Sequence, residues 1–339
     1  MRGRVENEQR MDAKIIEKLR SEPSYMTDYM QSFVRKSYTT KNAYIGYVLE
    51  FIHYLEETFG YNINDVNMFV NVKPSMINGY MNYLTRVEKT MNNGMVVKNG
   101  ASIQCKKFYA IKDFFKFLLN DDYITKNPCD NIDPPKVDTV IDVVAMDKEE
   151  INLFLSNVIN GVGTQRSKSY QAKWKNRDYA VMTLALSLGL RVTSISEINV
   201  EDIDFDSNCI TVTEKGNNTR KLLFSNNLKA ILLEWMKDRN QMLGSERCDA
   251  LFISNQKKRL CDQSIANLVT KYSRGIDKHI TPHKLRSTCA TNIYSATGDI
   301  YLTADVIGHR NIQNTRRYAK VVDEQKQKAI QAMDKIMFG

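Results

Sequence analysis

The stretch GHRNIQNTRRYAKVV, residues 308–322, places Tyr318 directly behind Arg316 and Arg317 and downstream of His309. A phenol can act as a nucleophile and form a covalent phosphoester, and neighbouring cations would favour that chemistry. Three other stretches hold partners for it. Arg191 closes the apolar run LALSLGL, where a guanidinium is costly unless it meets an anion, snorkels out, or pairs with Glu197 or Asp202. TPHKLRSTCAT carries His283 and Arg286, three apart and so on one helical face, just after Pro282. The proline favours a helix start, and free N–H groups in a first turn attract anions. Lys215 lies at or near a hairpin tip, where a lysine either faces solvent or reaches into a phosphate site as a proton donor. Each residue alone has an ordinary structural explanation. Together they form a set in which two arginines can grip phosphodiester oxygens, two histidines and a lysine can shuttle protons, and a tyrosine can attack. No carboxylate cluster accompanies them, so charge stabilisation is expected from cationic side chains, with no metal or cofactor.

The elements that must position these residues are mostly helical. TTKNAYIGYVLEFIHYLEETFG puts Tyr44, Tyr47, Val48, Phe51, Ile52 and Leu55 on one face. KPSMINGYMNYLTRVEK offers a second helix with Ser75 as its cap. NNGMVVKNG reads as a loop or short hairpin. A third helix, SIQCKKFYAIKDFFKFLLNDDYI, carries Lys106, Lys107, Lys112 and Lys116 on its polar side; that face is either solvated surface or a set of DNA phosphate contacts. Prolines 128, 134 and 135 then mark a linker. Asp147 and Glu150 have capping-box spacing at the start of the next helix, residues 160–176 read as a loop, and RDYAVMTLALSLGLR reads as a buried helix. CITVTEKGNNTRKLLF is the one β signal, a hairpin with Lys215 near its turn. From Asn227 onward helix is expected, with Gly308 ending one helix and Thr315 capping the turn that leads to Tyr318.

Composition is consistent with two soluble domains. The 339 residues exceed one ordinary core, and 42% hydrophobic with 26% charged residues excludes a disordered chain. The net charge of +9 is spread over both halves, with 19 basic and 16 acidic residues up to Lys136 and 29 and 23 after it. A basic balance on both lobes suits a polyanion held between them. The six cysteines form no C-x-x-C pair, no secretory signal opens the chain, and no apolar run is long enough to span a bilayer. Reduced thiols and a cytoplasmic, nucleoid-associated location are expected.

SLGLRVTSISEINVEDIDF, TEKGNNTRKLLF, TPHKLRSTCATNIYSATGD and VIGHRNIQNTRRY, in that order, resemble the catalytic domain of the tyrosine recombinase (phage integrase) family. The resemblance implies a mainly α protein that clamps duplex DNA as a C shape. A helical core-binding domain over 30–130 would follow an N-terminal helix or flexible lead over 1–29, which is too short for an arm-binding domain. A linker over 131–145, an α-rich catalytic domain with a small antiparallel sheet over 146–322 and a protomer-exchange helix over 323–339 would complete the chain. It implies that Tyr318 attacks the scissile phosphate and becomes linked to its 3′ end, that Arg191 and Arg286 clamp the phosphate, that His283 and His309 assist, and that Lys215 protonates the 5′ leaving oxygen. Arg220 and Arg310 join Lys106, Lys107 and Lys112 as expected DNA contacts. The family acts as a DNA-bound homotetramer through a Holliday junction, in some members with DNA-bending or directionality proteins, which points to a mobile-element integrase. A topoisomerase IB-like nicking–closing enzyme and a non-catalytic DNA-binding protein are the alternatives. Three positions depart from the family pattern: Ser194 and Ser287 stand where an acid and a histidine are frequent, and Arg310 stands where a small residue is common.

Overall fold

The computed structural model describes residues 12–34, 36–90, 96–137, 143–214, 218–309 and 311–338. The chain divides into two compact units, Met1–Val140 and Ile141–Gly339.

In the first unit, helix α1 (residues 12–19) precedes α2 (Ser24–Gln31), α3 (Tyr38–Phe59), α4 (Pro74–Arg86) and α5 (Ala101–Asn120). Strands β1 (Glu88–Thr90) and β2 (Val96–Lys98) pair antiparallel between α4 and α5. Ser37 caps α3 by accepting from the Thr40 amide. Pro74 takes the first position of α4 with Lys73 as N-cap, so the helix starts one residue before the cap expected at Ser75. The fixed φ of proline suits that position and sets the start. The core is aromatic: Phe69 and Tyr29 pack edge-on against Phe114, with ring centroids 5.1 and 5.0 Å away.

Lys107 does not join the exposed face of α5. It is 2% exposed, and its Nζ donates to Glu50 Oε1 at 2.7 Å and to Asn99 Oδ1 at 3.1 Å. It is therefore a buried ion pair of the core and not the expected phosphate contact; a helical period of 3.6 residues turns Lys107 inward beside Phe108 and Ile111. Lys106 and Lys116 are exposed, and Lys112 lies 3.7 Å from Asp130.

The second unit opens with α6 (Lys148–Asn160), where Asp147 and Glu150 form the expected capping box. The stretch 160–176, expected as a loop, contains α7 (Gln165–Ala172). Thr164 caps it, and buried Gln171 clamps the preceding loop by donating to the Val162 and Ser167 carbonyls. Helix α8 (Lys175–Leu188) and short α9 (Val192–Glu197) lead into a three-stranded antiparallel sheet of β3 (Ile203–Asp204), β4 (Cys209–Glu214) and β5 (Asn218–Leu223). The hairpin register pairs Ile210 with Leu222 and Val212 with Arg220. After α10 (Asn226–Leu243) the chain is not uniformly helical, contrary to expectation. Residues 244–261 run without helix and pair back through Asn199–Ala250 and Ile253–Arg259 bridges, because Ala250–Ile253 are needed to close the core over α10. Helices α11 (Asp262–Tyr272), α12 (Pro282–Thr297), α13 (Ile300–Ile307) and α14 (Gln313–Phe338) complete the unit. The mainly α architecture with a small antiparallel sheet is as read from the sequence. Among the described residues, no helix is long and apolar enough to cross a membrane.

A buried charge network fixes the N-terminal end of α8. Arg177 donates to Asp178 Oδ1 through Nε and Nη2 (2.9 and 2.7 Å) and to the Ile253 carbonyl through Nη1 (3.0 Å). Tyr272 donates to the other carboxylate oxygen at 2.6 Å, which ties α8 to α11. Removing one member of such a network strands a desolvated charge. Asp178→Ala is expected to cost about 3–5 kcal/mol of unfolding free energy, measured by urea denaturation; a loss below about 1 kcal/mol, the worth of an exposed pair, would show that the network carries no load.

Candidate active site

The site begins at Gly189, which ends α8 in a left-handed turn with φ +57°. A Cβ there would lie 3.0 Å from Ile307 Cγ2 and 3.2 Å from Cys289 Sγ, so α8 meets α12 and α13 at a point that admits no side chain. Two residues later Arg191 is the N-cap of α9. It follows a buried helix, as expected, and stands at the opening of the next one. The Gly189 carbonyl accepts from Arg286 Nη1 at 2.6 Å. The turn that presents Arg191 therefore also anchors Arg286, which is 2% exposed.

Helix α12 starts at Pro282, so His283 and Arg286 fall in its opening turns, as their spacing predicts. Gly308 closes α13 with φ +70°, and the His309 amide returns to the Ala304 carbonyl at 2.9 Å. His309 is thereby aimed at α14. Its Nδ1 lies 3.0 Å from Thr315 Oγ1. Thr315 is fully buried inside the first turn of α14, so its hydroxyl serves the imidazole and is not the helix cap expected of it. A threonine deep in the packing meets the nearest polar group, and here that is the ring nitrogen.

Tyr318 is fully buried on α14, the sixth residue of a 26-residue helix. Its ring packs among Cys289, Ala290 and Ile307 and lies parallel to the His309 ring, centroids 6.1 Å apart and planes at 19°. Arg317 Nη2 donates to the Tyr318 hydroxyl at 3.3 Å. Arg316, beside it in sequence, is exposed. Sequence reasoning treated this arginine pair as a unit; only Arg317 belongs to the site.

The electrostatics bind these segments into one neighbourhood. Burial pushes the His309 imidazole down to about 3, and the guanidinium groups of Arg286, Arg317 and Arg191 push in the same direction. Burial lowers His283 as well, followed by Arg317, Arg286, Lys284 and Arg191. Both rings are neutral at neutral pH, so each can donate one hydrogen bond and accept another. Arg191, Arg286, His283, His309 and Tyr318 are thus brought together from four elements, and Arg317 joins them. Lys215 and Arg310 lie outside the described residues; β4 and β5 end on either side of residues 215–217.

Arg220 Nη1 donates to the Asp305 and Val306 carbonyls at 2.8 Å each, at the C-terminal end of α13. Those carbonyls carry the negative end of the helix dipole, so they draw in the guanidinium. Arg220 braces the hairpin against the turn that leads to His309. Ser194, where the family often has an acid, donates to the Thr213 carbonyl on β4 at 3.2 Å.

A phenol among guanidinium groups and neutral imidazoles is equipped for phosphoryl transfer to tyrosine, and the comparisons assign the family. The model of the phage integrase family matches residues 145–325. The tyrosine recombinase XerC of Shewanella amazonensis is 30% identical over 214 residues, covering 62% of this chain and 68% of that one. The tyrosine recombinase XerS of Streptococcus pneumoniae is 27% identical over 342 aligned positions, covering 92% and 95%. In fold the chain is similar to the XerH site-specific recombinase in its post-cleavage complex with difH DNA (TM-score 0.66, 17% identity, 87% of this chain and 80% of that one). It is also similar to the lambda integrase tetramer bound to a Holliday junction (TM-score 0.62, 14% identity, 87% and 76%). The chain belongs to the phage integrase family, the tyrosine-type site-specific DNA recombinases.

The histidines provide a test of the pocket. A bound anion offsets the surrounding cations and favours imidazolium, so it raises both histidines. In free protein the His309 ring signals should stay in the neutral position as pH falls through 5, since its folded value lies near 3. Saturation with inorganic phosphate should move that transition upward. A His309 transition near the ordinary 6.5, unmoved by phosphate, would contradict the cationic enclosure.

Proposed function

We propose that this protein cuts and rejoins DNA at specific sites through a 3′-phosphotyrosine, with Tyr318 as nucleophile. The observation that carries the reading is the burial of Tyr318 against His309, with the guanidinium groups of Arg286, Arg317 and Arg191 acting on the same imidazole. Arg191 and Arg286 hold the non-bridging oxygens of the scissile phosphate, and the bond from Arg286 to Gly189 supports that role by fixing the two guanidinium groups to one turn. His283 and His309, both neutral, orient the phosphate and the phenol and accept the phenolic proton. Lys215 donates a proton to the departing 5′ oxygen. The phosphotyrosine keeps the bond energy, so a 5′ hydroxyl from a second strand can attack it and rejoin the backbone. Neither a cofactor nor a nucleotide is needed for that exchange.

In this reading residues 30–130 form the core-binding domain, with Lys106 and Lys112 on the phosphate backbone, residues 131–145 link it to the catalytic domain over 146–322, and the complex works as a tetramer through a Holliday junction. The chain acts in the cytoplasm, on the DNA of a mobile element. The likeness to a lambda integrase tetramer on such a junction supports the assembly. The end of α14 supports it also: Ile330, Met333, Ile336, Met337 and Phe338 are each at least half exposed, an apolar face suited to a neighbouring protomer.

The test uses a nicked duplex selected from a randomised pool by covalent capture on the parent protein. An SDS-resistant protein–DNA adduct should form with chelator present and vanish in Tyr318→Phe, while Arg191→Ala should slow its formation by about 10²-fold or more with DNA binding retained. An adduct that survives Tyr318→Phe would refute the assignment of the nucleophile. Joining of two duplexes, as against relaxation of supercoils alone, separates recombination from a topoisomerase activity.

Deleting residues 323–339 should weaken tetramer formation on paired sites more than binding to a single site, as read by native gel and light scattering. Equal losses in both would place the helix end in its own catalytic domain.

A further inference from the structure

We propose that Arg317 is an additional catalytic residue, a hydrogen-bond donor that holds negative charge on the Tyr318 oxygen whenever that oxygen is not bonded to hydrogen or phosphorus. The proposal rests on the recombinase reading above. Neither the motif residues nor the phosphate clamp assigned there includes this side chain.

Three observations carry it. The Arg317 guanidinium folds back over its neighbour, with its central carbon 5.1 Å from the Tyr318 ring centroid and Nη2 3.3 Å from the hydroxyl. Adjacent residues on a helix diverge by about 100°, so this contact requires the arginine to bend toward the phenol and away from solvent. Second, Arg317 Nε is enclosed yet has no hydrogen-bond partner among the described residues, and no carboxylate there pairs with the guanidinium. An arginine placed for stability alone would have one or the other. Third, Arg317 is half-buried and is the leading charge acting on His283, so it lies beside that ring as well as beside the phenol.

The chemistry asks for such a donor twice. In cleavage the phenol gives up its proton to a neighbouring base, the bond from Tyr318 oxygen to phosphorus forms, and the bond to the 5′ oxygen breaks as that oxygen takes a proton. In rejoining, a 5′ hydroxyl attacks phosphorus and passes its proton to the group that protonated the 5′ oxygen in cleavage; the bond to the Tyr318 oxygen breaks, so the phenolic oxygen leaves with the electron pair and then recovers its proton from the base that took it. Between those bonds the oxygen is anionic. A guanidinium N–H facing it then makes a charge-assisted bond, about twice as strong as the neutral one. Arg317 transfers no proton, because a guanidinium does not deprotonate in a protein. Arg191 and Arg286 act on the non-bridging oxygens; Arg317 acts on the nucleophile, the atom that becomes the leaving group.

The test measures single-turnover cleavage and rejoining on the selected duplex with full-length protein carrying Arg317→Met or Arg317→Lys, each also with a difluorinated tyrosine installed at position 318. Arg317→Met should slow rejoining by about 10²-fold with DNA binding unchanged, and Arg317→Lys should recover part of the loss. Fluorination makes the phenol a better leaving group, so it should speed rejoining by Arg317→Met far more than by the parent. Parental rejoining rates in Arg317→Met, or an equal benefit of fluorination in both backgrounds, would overturn the proposal and leave Arg317 a packing residue. Capture of no duplex by the parent protein, or adduct formation by Tyr318→Phe, would instead overturn the recombinase reading beneath it.

Discussion

Like charges gathered around one buried phenol are the constraint from which the rest of the catalytic unit follows. Three guanidinium groups, Arg286, Arg317 and Arg191, act on the His309 ring. Two unit charges 4 Å apart at an effective dielectric of 20 repel by about 4 kcal/mol, so this cluster tends to fly apart. Two features hold it. Both histidines are kept neutral, which removes two charges from the sum. Arg286 is tied to the Gly189 carbonyl, whose dipole offsets part of the repulsion. The residual repulsion is what an incoming phosphodiester relieves, and it is already present before any substrate arrives.

Every functional group sits at the end of an element and none at its middle. Arg191 opens α9, His283 and Arg286 lie in the opening turns of α12, His309 follows the last turn of α13, and Tyr318 is the sixth residue of α14. Element ends are where a chain can be steered by single residues. Gly189 and Gly308 supply left-handed turns, Pro282 supplies a fixed start, and each redirects the chain toward one point. The bulk of α8 and α10, by contrast, packs a core around Trp235 that keeps these ends at fixed separations. The stability of that core offsets the repulsion in the pocket.

What was legible in the sequence matches this division. Turns and caps have local causes, so Pro282, Gly308, the capping box at Asp147 and the hairpin strands could be read from residue types alone. Placements decided by tertiary neighbours could not. Lys107 has the same charge as Lys106 but lies on the inward side of α5, where Glu50 of another helix receives it. The arginine pair shows the limit most clearly. Thr315 and Tyr318 define the inward face of α14, and at 100° per residue Arg316 and Arg317 lie about 130° to either side of its centre. Helical spacing cannot choose between them; packing against α12 and α13 does, and it turns Arg317 inward.

Ser194, which departs from the family pattern, and Arg220, expected from its charge at a DNA contact, share one structural role. Each holds one strand of the β4–β5 hairpin to the pocket: Ser194 donates from α9 to Thr213 on β4, and Arg220 donates from β5 to the end of α13. An ionised carboxylate at position 194 could only accept, so it would face the Thr213 carbonyl with lone pairs against lone pairs. A serine hydroxyl can donate, which makes the departure from the family pattern a requirement of this contact. The turn-side end of the described strands is thereby fixed to the helix that carries Arg191 on one side and to the turn that carries His309 on the other.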